Sequence, residues 1–384
     1  MDTPTAEGLL QRTVAALHGA RPEGAEAGGT LPVTRYTDAA RTARERRFLR
    51  TQPQPVAASS DLPAAGSWLT CGHLAAPLLL VRQADGTVRA FLNVCRHRGA
   101  RVAQGCGRDT RHFTCPYHAW TYGCDGTLER VPQAFGFPGL DLASHGLRRL
   151  AACEHAGLVW VVTDPATPAD TAITPTLQPF IAEIEALDLQ HPVAFAPRTY
   201  EVAANWKLLL DGAFEAYHFK IVHRDTIAAL FVNNLQIVDE ANHNRRLFLP
   251  KANLDPDRPP PATAASLRRH GNLLYFLFPN TTLLVQPDHA QFSTLEPLAP
   301  DRTRVHEITL LPAAPDGDKA RAHWQANVEL YRRTLGEDYA MAESIQAGLA
   351  SGANDLLTFA TFEFSAPHFH ADLEAALEAH MEPA

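Results

Sequence analysis

Residues 93–122 read NVCRHRGARVAQGCGRDTRHFTCPYHAWTY. Cys95 and His97 are separated by one residue, and Cys115 and His118 by two, so each arm offers one thiolate and one imidazole. Two soft anionic sulfurs and two neutral nitrogens suit a tetrahedral zinc ion, or a [2Fe–2S] cluster with cysteines on one iron and histidines on the other. Zinc sites of mixed type usually pair Cys with Cys and His with His. A binuclear centre instead needs each arm to reach both irons, and one Cys plus one His per arm does that. The mixed arms favour the cluster, with zinc as the alternative.

These residues also carry a family likeness. Cys95-x-His97, Cys115-x-x-His118 and the flanking NVCRHRGA and CPYHAWTY resemble the Rieske domain of the non-haem iron oxygenases, the catalytic alpha subunits of aromatic-ring hydroxylases and their demethylase relatives. Respiratory Rieske proteins carry two further cysteines joined as a disulfide. Ala100 and Tyr117 stand at those places, so no cross-bridge is expected, and the potential is expected in the lower part of the Rieske range.

At 384 residues the chain has length for two domains, each with its own core. Hydrophobic residues at 46% and charged ones at 20% are the balance of a globular protein. The longest apolar runs, such as Ala76–Val81, are strand-length, so no membrane span is expected. MDTPTAEGLLQRTV lacks a basic start and an apolar stretch, which reads as a cytoplasmic protein. Cys71, Cys106, Cys124 and Cys153 show no secreted-scaffold spacing and read as reduced thiols. A net charge of -8 speaks against nucleic acid or an anionic membrane as partner.

Taken in order, residues 1–45 read as a helical extension, with a helix over Ala6–Leu17 and a Gly/Pro-rich connection from Gly19 to Pro32. The basic run from Arg41 to Arg50 reads as a solvated helical face. Residues 46–162 show short apolar runs punctuated by Asp85-Gly86 and Asp125-Gly126, the marks of hairpins in a small antiparallel β domain. TDPATPADTAITPT marks a boundary near 163–176. Residues 163–384 form a larger domain. Its pieces RRLFLPK, NLLYFLFPNTTLLVQPD, QFSTLEPLA and RVHEITLLP predict an antiparallel sheet wrapped about a long C-terminal helix, an α+β fold. The family likeness spans roughly 45–160 and 195–370 and implies the helix-grip type.

A second stretch, NWKLLLDGAFEAYHFKIVH at 205–223, carries the other candidate centre. Read as a helix, Asp211, Glu215 and His218 stack on one face. His223 falls about 140° away from His218 on a regular helix, so the helix must bend or stop for both imidazoles to converge. A mononuclear Fe(II) held by two histidines and a carboxylate is a reason to converge, since it leaves positions for O2 and substrate. The stretch resembles the iron-binding motif of the same family. That likeness implies His218 and His223 as iron ligands and Glu215, supported by Asp211, as the acid linking iron to a neighbouring subunit's cluster. Glu rather than Asp at this place is similar to the carnitine and glycine-betaine subset, although Gly212 and Ala213 depart from it.

The carboxylate ligand must come from elsewhere. From Asp318 to Gly352 a helix is predicted, and Trp324, Val328, Tyr331, Leu335, Asp338, Ala342, Ile345 and Leu349 form its apolar stripe. Asp338 is the one charge on that stripe, and an ionised carboxylate facing a core is costly unless paired or metal-bound. Glu337 and Glu343 are its rivals as third ligand, and a helix cap after Gly336 is the structural alternative. The family likeness also implies O2 chemistry on a small organic substrate, aromatic or quaternary-ammonium in type. It further implies electrons from NAD(P)H through a reductase, with or without a ferredoxin, and a homotrimer. A Rieske electron carrier without oxygenase chemistry and a zinc-stabilised binding module are the competing readings.

Overall fold

The computed structural model describes residues 1–20, 23–24, 28–173, 180–185 and 193–381. It divides into two compact units, one mainly Arg50–Gln178 and the other mainly Met1–Leu49 with Phe195–Ala384.

The smaller unit is built from antiparallel β ribbons. A five-stranded sheet runs in the order Arg149–Leu150, Val88–Leu92, Ala76–Arg82, Trp68–His73, Cys106–Gly107, beside two three-stranded sheets. Both expected hairpins form, and the same device closes them: the Asp85 and Asp125 carboxylates each accept from the backbone and hydroxyl of the Thr two residues on. Gly126 has φ +89, and a Cβ there would lie 2.4 Å from the Phe91 ring, so both conformation and space demand glycine. Part of the expected boundary stretch, 174–176, lies outside the described residues.

The larger unit holds a seven-stranded antiparallel sheet. Its strands are β1 (Val193–Val202), β2 (Ile237–Ala241), β3 (Asn244–Pro250), β4 (Gly271–Leu277), β5 (Thr281–Val285), β6 (Ala290–Ala299) and β7 (Arg302–Leu311), in the order β1-β7-β6-β5-β4-β3-β2. Its helices include α1 (Thr3–Leu17), α2 (Ala39–Thr51), α3 (Trp206–Ala213), α4 (Phe219–Val222), α5 (Gly317–Ala350) and α6 (Ser365–Met381). Helix α5 runs unbroken through Gly336 for 34 residues. Tyr331 and Ser293 share a hydroxyl contact at 3.1 Å, and Arg332 donates to Glu307 at 2.6 Å, which fixes α5 against β6 and β7. Val328, Ala342 and Leu349 of the expected stripe are buried, but Ile345 is 46% exposed and Gln346 is buried instead. Gln346 accepts from the Asn205 backbone N–H, a polar duty that outweighs the apolar pattern at this turn.

Residues 1–45 are not a separate extension, which corrects the expectation from sequence. Glu45 and Lys207 are both fully buried, and the Lys207 ammonium donates to both Glu45 oxygens at 2.8 Å. Trp206 Nε1 and Arg41 Nε donate to the same carboxylate, so α2 is tied directly to α3. Nor is the basic run a solvated face, because Arg41 and Arg44 pair with Glu374 of α6. Lys207→Met would leave the buried Glu45 carboxylate to Arg41 and Trp206, and is expected to cost about 3 kcal/mol in urea unfolding.

Candidate metal centres

The two arms of the first stretch fold into matching loops. Cys95 N–H donates to Ala100 O and Gly99 N–H to Cys95 O, while Cys115 N–H donates to Trp120 O and Ala119 N–H to Cys115 O. The residue four past each cysteine turns left-handed, Gly99 at φ +82 and Ala119 at φ +56. Asn93 locks the first loop by accepting from Val102 and Ala103 and donating to Ala103 O. Both cysteines are 3% exposed, and the His97 and His118 rings lie 4.6 Å apart. His97 stacks on Trp120 at 4.9 Å. Burial pushes the Cys95 thiol up, and Cys115 nearby adds to it against the contrary pull of Tyr122. The Tyr122 oxygen accepts from Arg96 N–H at 2.9 Å, which leaves its own proton for Cys95 Sγ at 3.3 Å.

The second stretch differs from a single helix. α3 ends at Ala213 with Phe214 as its cap, and α4 starts only after His218. Asp211, Glu215 and His218 therefore do not share one helical face. Glu215 accepts the backbone N–H groups of Tyr217 and His218, which opens the new turn and breaks the old one. That break lets the imidazoles converge. His218 Nε2 and His223 Nε2 stand 3.1 Å apart, and Asp338 Oδ1 on α5 lies 3.3 Å from the first and 3.0 Å from the second. Burial would lower His218, yet Asp338 and Glu215 outweigh it and hold it at about 9. Burial would raise Asp338, and the two imidazoles hold it below the usual carboxylate range.

The far sides of the histidines are also held. Glu215 takes His218 Nδ1, and Glu337 takes His223 Nδ1 at 2.8 Å while accepting from Thr226 at 2.7 Å. Glu337 is thus behind an imidazole, and Glu343 is bonded to Ala203 N–H, which leaves Asp338 as the acid at the convergence. From the sequence Glu337 reads only as a rival ligand; two acids in succession, about 100° apart on a helix, are the available sign of a second role. Asp211 accepts from Tyr36 OH at 2.7 Å and lies 3.2 Å from His370 Nε2, so it belongs to a buried trio that the spacing did not foretell.

A cavity of about 140 Å³ opens beside the triad, walled largely by aliphatic side chains of α3, the sheet and α5. Its aromatic lining includes Phe219, Phe231, Tyr331 and Tyr339. Phe214, Phe248, Phe276 and Phe292 are buried in the core.

Two family models match the chain, one described as the ring hydroxylating alpha subunit (catalytic domain) over residues 191–379, the other as the Rieske [2Fe-2S] domain over 52–140. The chain belongs to the Rieske non-haem iron oxygenase alpha subunits. Among relatives of this family, the carnitine monooxygenase oxygenase subunit of Escherichia coli K12 is 28% identical, with 84% of each chain covered. The glycine betaine monooxygenase oxygenase subunit of Chromohalobacter salexigens is 34% identical over 46% of this chain, and the match spans 38% of that relative's length. A solved quaternary ammonium Rieske monooxygenase in complex with L-carnitine superposes with TM-score 0.76 at 21% identity, covering 90% of this chain and 94% of that one. The naphthalene 1,2-dioxygenase of Rhodococcus sp. superposes at 0.72 with 19% identity and 99% of each chain covered. These structural likenesses are likenesses of fold.

Rieske oxygenase subunits carry a [2Fe–2S] cluster and a mononuclear iron, and both donor sets fit. His97 Nδ1 and His118 Nδ1 are buried with no hydrogen-bond partner, an arrangement that is costly unless metal takes the lone pairs. Ligand atoms about 2.1 Å from an octahedral cation, at right angles to each other, lie about 3.0 Å apart, which the triad's spacings match. Metal at the triad displaces the proton that His218 otherwise holds. Asp338→Ala is expected to remove the solitary iron, read by metal analysis, while the cluster's visible and EPR signals stay. Tyr122→Phe withdraws a donor from a cluster sulfur and is expected to lower the potential by roughly 20–60 mV in a redox titration.

Proposed function

We propose that this chain is a terminal oxygenase that hydroxylates or oxidatively demethylates a small organic molecule, using electrons from NAD(P)H delivered by a separate reductase, with or without a ferredoxin. The observation that carries the reading is the meeting of His218, His223 and Asp338 at the wall of an apolar cavity, in a chain that also holds Cys95, His97, Cys115 and His118. We assign the cluster to the domain at 46–162 and the iron to the domain at 163–384. When bound, the cluster supplies electrons singly and Fe(II) binds and activates O2. Hydroxylation takes R–H, O2, two electrons and two protons to R–OH and water, so a reductant outside the chain is required.

The protein's own part is positioning. Cys95, Cys115 and the two Nδ1 atoms grip the cluster. Glu215 and Glu337 fix the tautomers of His218 and His223 so that both Nε2 lone pairs point to the metal. The aliphatic wall keeps water away from the reacting carbon and holds the substrate there. The relatives above are named as carnitine and glycine betaine monooxygenase subunits, and a further one as an anthranilate 1,2-dioxygenase large subunit, which supports a small substrate of aromatic or quaternary-ammonium type.

We further infer a head-to-tail homotrimer in which the partner subunit's His118 faces Glu215 and His218, with Asp211 in support. Tyr117 at 59% exposure leaves apolar surface for such a contact, as do Tyr217 and Met341. A reducing cytoplasm suits cysteines that form no disulfide among the described residues, where also no helix is long and apolar enough to cross a membrane.

Visible absorption and EPR of the dithionite-reduced protein, an iron and zinc count, and substrate-stimulated O2 uptake test the reading. A colourless zinc protein rejects it, and cluster iron without mononuclear iron points to an electron carrier. Glu215→Ala is expected to keep the cluster signals and lower product formation about 10–100-fold; unchanged product yield would reject the bridge.

A further inference from the structure

The cavity beside the triad contains a polar group that neither the iron site nor the fold uses. Asn272 lies at the start of β4, opposite Leu249 of β3, and lines the same cavity as His218, His223 and Asp338. Its side chain is 8% exposed overall, and its Oδ1 is enclosed with no hydrogen-bond partner. Whichever way the amide is turned, one buried end is left without a partner, which costs about 1–3 kcal/mol if nothing fills the place. Two other polar groups of the lining are occupied: Ser293 meets Tyr331, and Thr334 donates back to Leu330 O. Nothing in the fold explains a naked amide among Leu249, Leu274 and Phe231.

The charge of the wall narrows what can fill it. Among the described residues lining the cavity there is no Lys or Arg. A substrate carboxylate would therefore be buried unpaired, and it would face Asp338 and Glu215 besides. Asp338 is committed to the metal in the oxygenase reading and Glu215 already accepts the N–H groups of Tyr217 and His218, so neither is free to balance a cationic head. At one water per 10–15 Å³ of such space, the cavity holds on the order of ten waters, the bulk of a molecule with about ten non-hydrogen atoms.

We propose that Asn272 is the specificity-determining residue of this site and selects an uncharged, mostly apolar substrate through a paired hydrogen bond to one amide, lactam or carbonyl group. This rests on the oxygenase reading above in taking the cavity as the substrate site. It separates this chain from relatives named for carnitine and glycine betaine, whose carboxylates have no cationic partner here.

The test is calorimetric binding to the intact, iron-loaded protein, with 2-indolinone as the lactam probe, indane as its near-isostere without the amide, and benzoate and L-carnitine as charged probes. The lactam should bind about tenfold more tightly than indane, and neither charged probe should compete with it. Asn272→Leu should erase the tenfold preference by weakening the lactam and not indane. Asn272→Ala, which removes the amide without adding charge, should likewise lose the lactam preference with an unchanged cluster spectrum. The proposal is overturned by tighter binding of L-carnitine or benzoate, by binding of neither neutral probe, or by an unchanged lactam preference in the variants. Failure of the oxygenase reading shows separately, as missing metal signals in the wild-type protein before any ligand is added.

Discussion

Three atoms that would hold one metal have to meet from stretches more than a hundred residues apart in sequence, and two of them belong to imidazoles five residues apart that no continuous helix can aim at one point. The chain meets this constraint by stopping α3 at Ala213 and starting again after His218. Glu215 makes the break and then uses its other oxygen on His218, so one carboxylate both shapes the backbone and orients the ligand. Asp338 arrives on a long helix whose own position is set by contacts with β6 and β7.

The support beneath this convergence is polar and buried. Lys207 sits at the start of α3, one turn ahead of Asp211, and its fully enclosed ammonium is balanced by Glu45 of α2. Burial pushes Lys207 down and Glu45 draws it back, the opposition expected of a pair whose value depends on both partners staying. Tyr36 and His370 hold Asp211 from two further elements. The N-terminal segment and the last helix are therefore structural members of the iron site's floor, although neither supplies a ligand.

The cluster site works differently. Its four candidate ligands come from two short loops, each closed by its own backbone hydrogen bonds and each with a left-handed residue four past the cysteine. Such a loop is specified almost wholly by local sequence, which is why the two mixed Cys/His arms stand out from spacing. The hairpins around them were equally plain, since Asp-Gly turns declare themselves. The residue that donates to the cluster sulfur, Tyr122, lies on a strand behind the loop and gives no local sign of that role.

Local sequence was enough to mark the two Cys/His loops, the two histidines near residue 220, the long helix with its single stripe acid, and the antiparallel character of the main sheets. All of these follow from periodicity, turn chemistry and side-chain type over a few residues. Folding in three dimensions was needed to show that Glu337 stands behind His223, that Glu45 pairs with Lys207, that the N-terminal segment belongs to the larger unit, and that Asn272 lines an apolar cavity without a partner for its Oδ1. Each of those depends on groups distant in sequence being brought within hydrogen-bond reach or kept out of it, and spacing along the chain carries no record of that distance.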